Sequence, residues 1–205
     1  MSAQFGRDAY DMSLAIRITG ELDVNILARA LDALVARHEP LRTTFGTTPA
    51  GHLFQRIHPP VARNLTVETV ASLDDALAHC QQECLRPYDL AAGPLFEPRL
   101  YRIDDRDHVL LIRMHHIVGD EWSIGVLFRD LGTFYHGRSP APLRFSYVDF
   151  AVWQRAQLTE DVALGELDYW RTQLAGAPAL LELPTDRPRP TVLSTQGAQR
   201  GHRLP

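Results

Sequence analysis

The sequence predicts an α/β fold, a two-layer sandwich in which a mixed sheet is covered by helices, and three observations carry that prediction. Short apolar runs rich in branched side chains alternate with longer segments whose apolar residues fall three and four apart. Val109-Leu110-Leu111-Ile112, following His108, is continuously apolar, as suits a strand covered on both faces. Beyond it the period changes abruptly: Ile124, Leu127, Phe128, Leu131, Phe134 and Tyr135 recur as on one face of a helix.

The elements follow in order. Met12-Ser13-Leu14-Ala15-Ile16-Arg17-Ile18 alternates apolar with smaller or polar residues and predicts a half-buried strand. Asp23 offers an N-cap to a helix whose stripe is Leu27, Leu31, Leu34 and Val35. Strands are expected at 41–45, 52–57, 65–70, 96–103 and 108–114, the last two closing as a hairpin through Asp104-Asp105-Arg106-Asp107. Helices are expected from Leu73 to about Arg86 and over 122–135, 148–157 and 162–174. The stretch 176–205 is dense in proline and glycine and reads as a linker.

Composition narrows the function classes. At 205 residues and 45% hydrophobic content, the chain can bury a substantial core. A formal net charge of -4 gives no basic stripe for nucleic acid. No apolar run is long enough to cross a bilayer and Met1 opens no charged-then-apolar signal segment, so the expected location is cytoplasmic. Every basic residue other than histidine is arginine, which excludes a lysine nucleophile or Schiff base. Cys80 and Cys84, four apart on one helix face, are expected to be buried thiols, since no further cysteine completes a thiolate metal site. No phosphate loop, dinucleotide fingerprint or internal repeat is present, so no nucleotide cofactor is indicated.

Chemistry concentrates in Arg113-Met114-His115-His116-Ile117-Val118-Gly119-Asp120-Glu121-Trp122, where the apolar strand ends and the helix begins. Such a junction holds a side chain rigidly at the rim of a cleft. Consecutive residues on a strand point to opposite faces, so the two histidines are not expected to act as a pair. One should face the packed layer or brace the turn, and the other should face a cavity; spacing alone leaves open which is which. The same splaying argues against a metal site on His115, His116 and Asp120. A purely structural reading, two packed histidines and a helix-capping aspartate, stands beside the catalytic one.

This run resembles the His-His-x-x-x-Asp-Gly signature of condensation domains from nonribosomal peptide synthetases, part of the wider chloramphenicol-acetyltransferase-like superfamily. His115, His116 and Asp120 match, and Glu121 stands where the family has glycine. Three more segments are similar to the same family in the same order: Arg37-His38-Glu39-Pro40-Leu41-Arg42-Thr43-Thr44-Phe45, Tyr88-Asp89-Leu90-Ala91-Ala92-Gly93-Pro94-Leu95, and Tyr147-Val148-Asp149-Phe150-Ala151-Val152-Trp153. Tyr169-Trp170-Arg171 and Leu183-Pro184-Thr185-Asp186-Arg187-Pro188 resemble the connector before the family's second lobe. The family's opening segment is not matched, since Ser2-Ala3-Gln4 leads into Phe5-Gly6-Arg7.

The resemblance implies one lobe of a chloramphenicol-acetyltransferase-like fold: residues 1–175 as the N-terminal lobe and 176–205 as a connector toward a C-terminal lobe outside this sequence. It implies an acyltransferase that forms an amide when the acceptor amine attacks the donor thioester, both carried on phosphopantetheine arms of upstream and downstream carrier proteins. No cofactor would be bound directly, and the lobe alone is expected to be inactive. An α-amine with a pKa near 8 is roughly one-tenth neutral at pH 7, so deprotonating it beforehand gains only about 1.4 kcal/mol. His116 is therefore expected to take a proton from the tetrahedral intermediate or to orient the amine. His115, Asp120 and Arg42 are its expected supports, with Arg42 and Asp120 buried as an ion pair. Glu121, Trp122 and Ser123 are possible channel residues, and Glu121 either caps the helix or projects toward the channel. Two other functions fit the same histidines: a coenzyme A-dependent acyltransferase, or a noncatalytic carrier-protein docking module.

Overall fold

The computed structural model describes residues 2–4, 10–62, 64–178, 180–188 and 191. It divides into two compact units, with the boundary between Pro142 and Leu143. The first is built on a five-stranded sheet in the order β1-β2-β7-β6-β5. Its strands are β1 (Ser2–Gln4), β2 (Asp11–Thr19), β5 (Thr66–Thr69), β6 (Phe96–Arg102) and β7 (Asp107–His115). β5 and β6 run parallel and every other pair is antiparallel, so the sheet is mixed, as expected. A separate hairpin pairs β3 (Thr43–Thr47) with β4 (Leu53–Ile57).

β7 is central, and His108 to Met114 are all buried. Alternation splits them between two clusters. Leu110, Ile112 and Met114 join Leu27, Leu31 and Leu34 of helix α1 (Val24–Arg37) and Leu127 and Leu131 of helix α3 (Glu121–Tyr135). Val109 and Leu111 face Ala76 and Cys80 of helix α2 (Leu73–Glu83) on the other side. The double covering explains why this strand reads as an unbroken apolar run. Cys80 and Cys84 are free thiols inside that second cluster, and burial pushes the Cys80 thiol up to about 12. Asp23 caps α1 as expected, accepting from the Ile26 N–H at 2.9 Å.

One element departs from the sequence reading. Residues 41 and 42 are not strand: Glu39–Arg42 forms a short 3-10 turn with Pro40 in its first positions, and β3 begins at Thr43. The proline ring fixes φ near the helical value and has no N–H for a ladder, so it favours the turn over an early strand. Leu41 is buried from that turn.

The second unit contains α4 (Tyr147–Gln157) and α5 (Glu160–Gln173). Ser146 and Asp149 cap α4 reciprocally, Asp149 accepting from the Ser146 N–H at 2.7 Å and Ser146 Oγ accepting from the Asp149 N–H at 3.3 Å. Neither helix contains a buried residue. No described helix is long and apolar enough to cross a membrane. Much of the expected connector at 176–205 lies outside the described residues.

Candidate active site at the end of strand β7

β7 ends at His115, a short 3-10 turn covers His116–Val118, and Asp120 begins α3. The turn is anchored on both sides by backbone. The His115 N–H donates to the Leu95 carbonyl at 3.0 Å and the His116 N–H donates to the Tyr10 carbonyl at 2.7 Å. Val118 is buried with Leu41 and Leu127 in the larger cluster, so the turn is pinned by an apolar side chain as well.

The question left open by spacing is decided by this geometry. His115 braces the turn: its Nδ1 accepts the Ile117 N–H at 3.0 Å, and its ring lies between Tyr10 and the edge of Tyr88, with centroids 6.3 and 5.8 Å away. His116 is exposed, and its ring makes no hydrogen bond among the described residues. His115 is bonded into the turn, whereas the His116 ring is exposed.

Asp120 caps α3. Its Oδ1 accepts from the Ser123 N–H at 2.8 Å and from Ser123 Oγ–H at 2.6 Å, while the Asp120 N–H donates to Ser123 Oγ at 3.1 Å. The Ser123 hydroxyl, then its N–H, hold the Asp120 carboxyl below the usual carboxylate range, with nearby His116 adding a smaller pull. The expected Arg42–Asp120 ion pair is not formed. Asp120 is exposed, and Arg42 donates from Nη1 to the His58 carbonyl and lies 3.6 Å from Glu39 Oε1. The physical reason is the 3-10 turn at Pro40, which places Arg42 beside the β4 end, while Asp120's oxygen is occupied by Ser123. Arg42 therefore supports the hairpin and not the turn.

The three possible channel residues separate. Ser123 is occupied in the cap. Glu121 is exposed at the first helical position and, since Asp120 is the capping residue, it makes no cap bond. Trp122 is 84% exposed. A cavity of about 130 Å³ opens beside it, lined by His38, Leu41, Val118, Trp122, Val126 and Leu127.

Several residues that hold this turn escaped the sequence reading. Gly119 is one: a Cβ there would lie 2.8 Å from Met114 Sδ and 3.4 Å from Ser123 Cβ, so only glycine permits this approach of turn to strand. Tyr88 is another, its ring meeting His115 on one side and lying 4.8 Å from the buried Arg113 guanidinium. Arg113 in turn donates to Glu97 Oε2 at 3.0 Å. Asp89 shapes the loop that delivers Leu95, accepting from the N–H groups of Ala91 and Ala92 at 2.8 and 3.0 Å. Asp130 on α3 is 1% exposed and binds Arg37 and His38. Its readable signal was a carboxylate set into the apolar stripe between Leu127 and Leu131.

A mixed sheet, a pinned turn and one free histidine at a strand end define the kind of lobe that the motif implies. The condensation domain model matches residues 2–204, and the chain belongs to the condensation domain family. It is 42% identical over 203 residues to a linear gramicidin synthase polypeptide of Brevibacillus parabrevis, covering 92% of this chain and 3% of that protein. It is 41% identical to phosphinothricin tripeptide synthetase PhsC of Streptomyces viridochromogenes, covering 98% of this chain and 19% of that protein. Among solved structures, the complex of the X-domain and OxyB from teicoplanin biosynthesis matches with a TM-score of 0.79 and 33% identity, over 91% of this chain and 43% of that one. The chain thus spans a small part of these synthetases and less than half of the solved domain.

Proposed function

We propose that this chain supplies the N-terminal lobe, residues 1–175, of a domain that joins two thioester-bound substrates by an amide bond, with 176–205 leading toward the second lobe. The observation that carries the reading is the exposed His116 imidazole, its ring without a hydrogen bond among the described residues, on a turn fixed by backbone bonds, a buried Val118 and His115. The acceptor amine attacks the donor thioester carbonyl and forms the C–N bond of a tetrahedral intermediate; its collapse breaks the C–S bond, and the proton lost by the amine balances the carrier's thiol that leaves. His116 orients the amine or takes its proton from the tetrahedral intermediate. Most of the rate comes from alignment of the two arms, because well-placed pairs reach effective molarities of about 10⁵–10⁸ M.

In this reading His116 touches substrate, His115 and Asp120 hold its turn, and Trp122, beside the cavity under the turn, faces the substrate passage. Both substrates arrive on phosphopantetheine arms of carrier proteins, in the cytoplasm, and no cofactor is bound directly. The relationship to peptide synthetases at 42% and 41% identity supports the reaction class. The test is amide formation between carrier-bound donor and acceptor by the full-length domain and its His116→Ala variant. A loss of tenfold or more without loss of folding supports the assignment, and equal rates remove it.

A second reading has its own support. The similar X-domain forms a complex with OxyB, and Glu121 departs from the motif glycine. A docking platform would bind its partner protein with no turnover in the full-length domain, and would do so equally well after His116→Ala.

A further inference from the structure

The reaction at His116 needs no cavity, yet one of about 130 Å³ lies under its turn, and the lining sets what can fill it. Leu41, Val118 and Leu127, all buried, make an apolar floor. Trp122 and Val126, one turn apart on α3, stand above it. Among the described residues the lining carries no carboxylate and no guanidinium. Its titratable ring, His38, is tied through Nε2 to Asp130, and burial favours the neutral form. A charged group entering such a lining would lose water and gain no partner. Size narrows the choice further, because a dry apolar cavity of about 150 Å³ holds a benzene ring. The Trp122 indole is left exposed beside the cavity, an apolar surface that a ligand would cover.

We propose that this cavity receives the side chain of the acceptor amino acid and selects a branched aliphatic or phenyl group, with Trp122 and Val126 as specificity-determining residues. The inference rests on the reading of His116 as the group that meets the amine. Two relationships assign the cavity to the acceptor and not to the donor. Ser123 lines the cavity and bonds Asp120, and Asp120 lies close enough to His116 to sense its charge, so cavity and imidazole are neighbours across one helix cap. In an α-amino acid the amine and the side chain share one carbon, whereas the reacting carbonyl also separates the donor's side chain from that nitrogen. An amine held at His116 therefore starts the acceptor's side chain nearer the cavity.

The experiment sets carrier-bound leucyl, phenylalanyl, alanyl and glutamyl acceptors in competition for one donor, using the full-length domain as wild type, Val126→Phe and Val126→Ala. Wild type is expected to favour the leucyl and phenylalanyl acceptors over the alanyl and glutamyl ones by about tenfold or more, since a single methylene in an apolar pocket is worth about tenfold. Val126→Phe fills the cavity and should lower the leucyl-over-alanyl ratio about tenfold, while Val126→Ala enlarges it and should raise the phenylalanyl-over-leucyl ratio. Val126 is half-buried and outside the main core cluster, so both variants are expected to fold, which their melting temperatures check. Calorimetry with leucyl and alanyl pantetheine conjugates, in which an amide replaces the thioester, reads the same preference without turnover. Equal use of leucyl and glutamyl acceptors by wild type, ratios unchanged within about threefold in both variants, or a change in the order of donors in place of acceptors overturns the proposal. If no protein in the series forms an amide, the functional reading fails, and the conjugates still decide whether the cavity holds the side chain.

Discussion

Asp130 of α3 accepts from both Arg37 and His38, the last residue of α1 and its C-cap, through Nε of the arginine and Nε2 of the histidine at 2.9 Å each. One buried carboxylate thus ties the end of α1 to the middle of α3, and Arg37 extends the tie by donating to the Ala141 carbonyl at 2.7 Å. Replacing Asp130 with alanine strands the Arg37 guanidinium and leaves the His38 Nε2–H without its acceptor beside a core. The expected cost is about 3 kcal/mol, the lower end for breaking a buried pair, because both partners keep some contact with water. Urea denaturation of Asp130→Ala against wild type reads it directly.

The same cluster sets a pH dependence. Burial pushes the His38 imidazole below its ordinary value of 6.5, and outweighs the opposing pull of Asp130. The fold therefore prefers the neutral ring, and the unfolded chain binds the proton first as pH falls. This contribution to stability is present above about pH 6.5 and is lost as pH drops from there through the lower folded value. The urea midpoint of wild type should fall over that window, and His38→Gln, which has no titrating proton, should flatten the fall. A parallel decline in both proteins would assign it to other groups.

Asp120 and Arg42 should behave as strangers. Asp120→Ala loses an N-cap, worth about 1 kcal/mol, and Asp120→Asn or Asp120→Ser keeps most of it. Arg42→Ala acts on the hairpin through His58. Because the two side chains share no partner, their double-mutant cycle should close within about 0.5 kcal/mol. A coupling of about 2 kcal/mol or more, on the scale found for linked charges, would restore the ion pair that the motif suggested.

Gly119 tests how closely the turn approaches its strand. An alanine Cβ would meet Met114 Sδ at 2.8 Å, and Met114, 1% exposed, has little room to yield. Overpacking of this kind costs about 1–3 kcal/mol. Gly119→Ala is expected to lower the melting temperature and to reduce amide formation together, since the displaced segment carries His116.

The layers of the fold were legible because hydrophobic period reports them directly: the β7 run, the α1 stripe and the α3 stripe all stand where their spacing put them. The site was legible in part. The motif located the turn, and the alternation of strand side chains gave the two histidines different roles, but only the backbone path past residue 115 decides which ring is left free. What stayed hidden depends on tertiary neighbours. Arg42 lies away from Asp120 because Pro40 turns the chain before strand pairing begins. Tyr10 and Leu95 reach the site, and Arg37 and His38 reach its supporting helix, from distant segments, and no local pattern announces a carbonyl that will accept a bond from a histidine 106 positions later, as the Tyr10 carbonyl does for His116.

Glu121 separates a helix-end effect from a channel effect. At the first helical position its carboxylate lies near the exposed N–H groups of α3, where a negative charge stabilises a helix by about 0.3–1 kcal/mol. Glu121→Gln removes the charge alone and should cost a few tenths of that order, and Glu121→Gly should cost more because glycine also loses backbone entropy, by about 0.5–1 kcal/mol relative to alanine. If the side chain acts only on the helix, both variants of the full-length domain should accept the same amines in the same order of preference. A changed order in Glu121→Gly, with Glu121→Gln unchanged, would mean that the bulk of the side chain shapes the passage beside His116. A change shared by both would mean that its charge does, and a competition assay with neutral and basic acceptor amines distinguishes these outcomes.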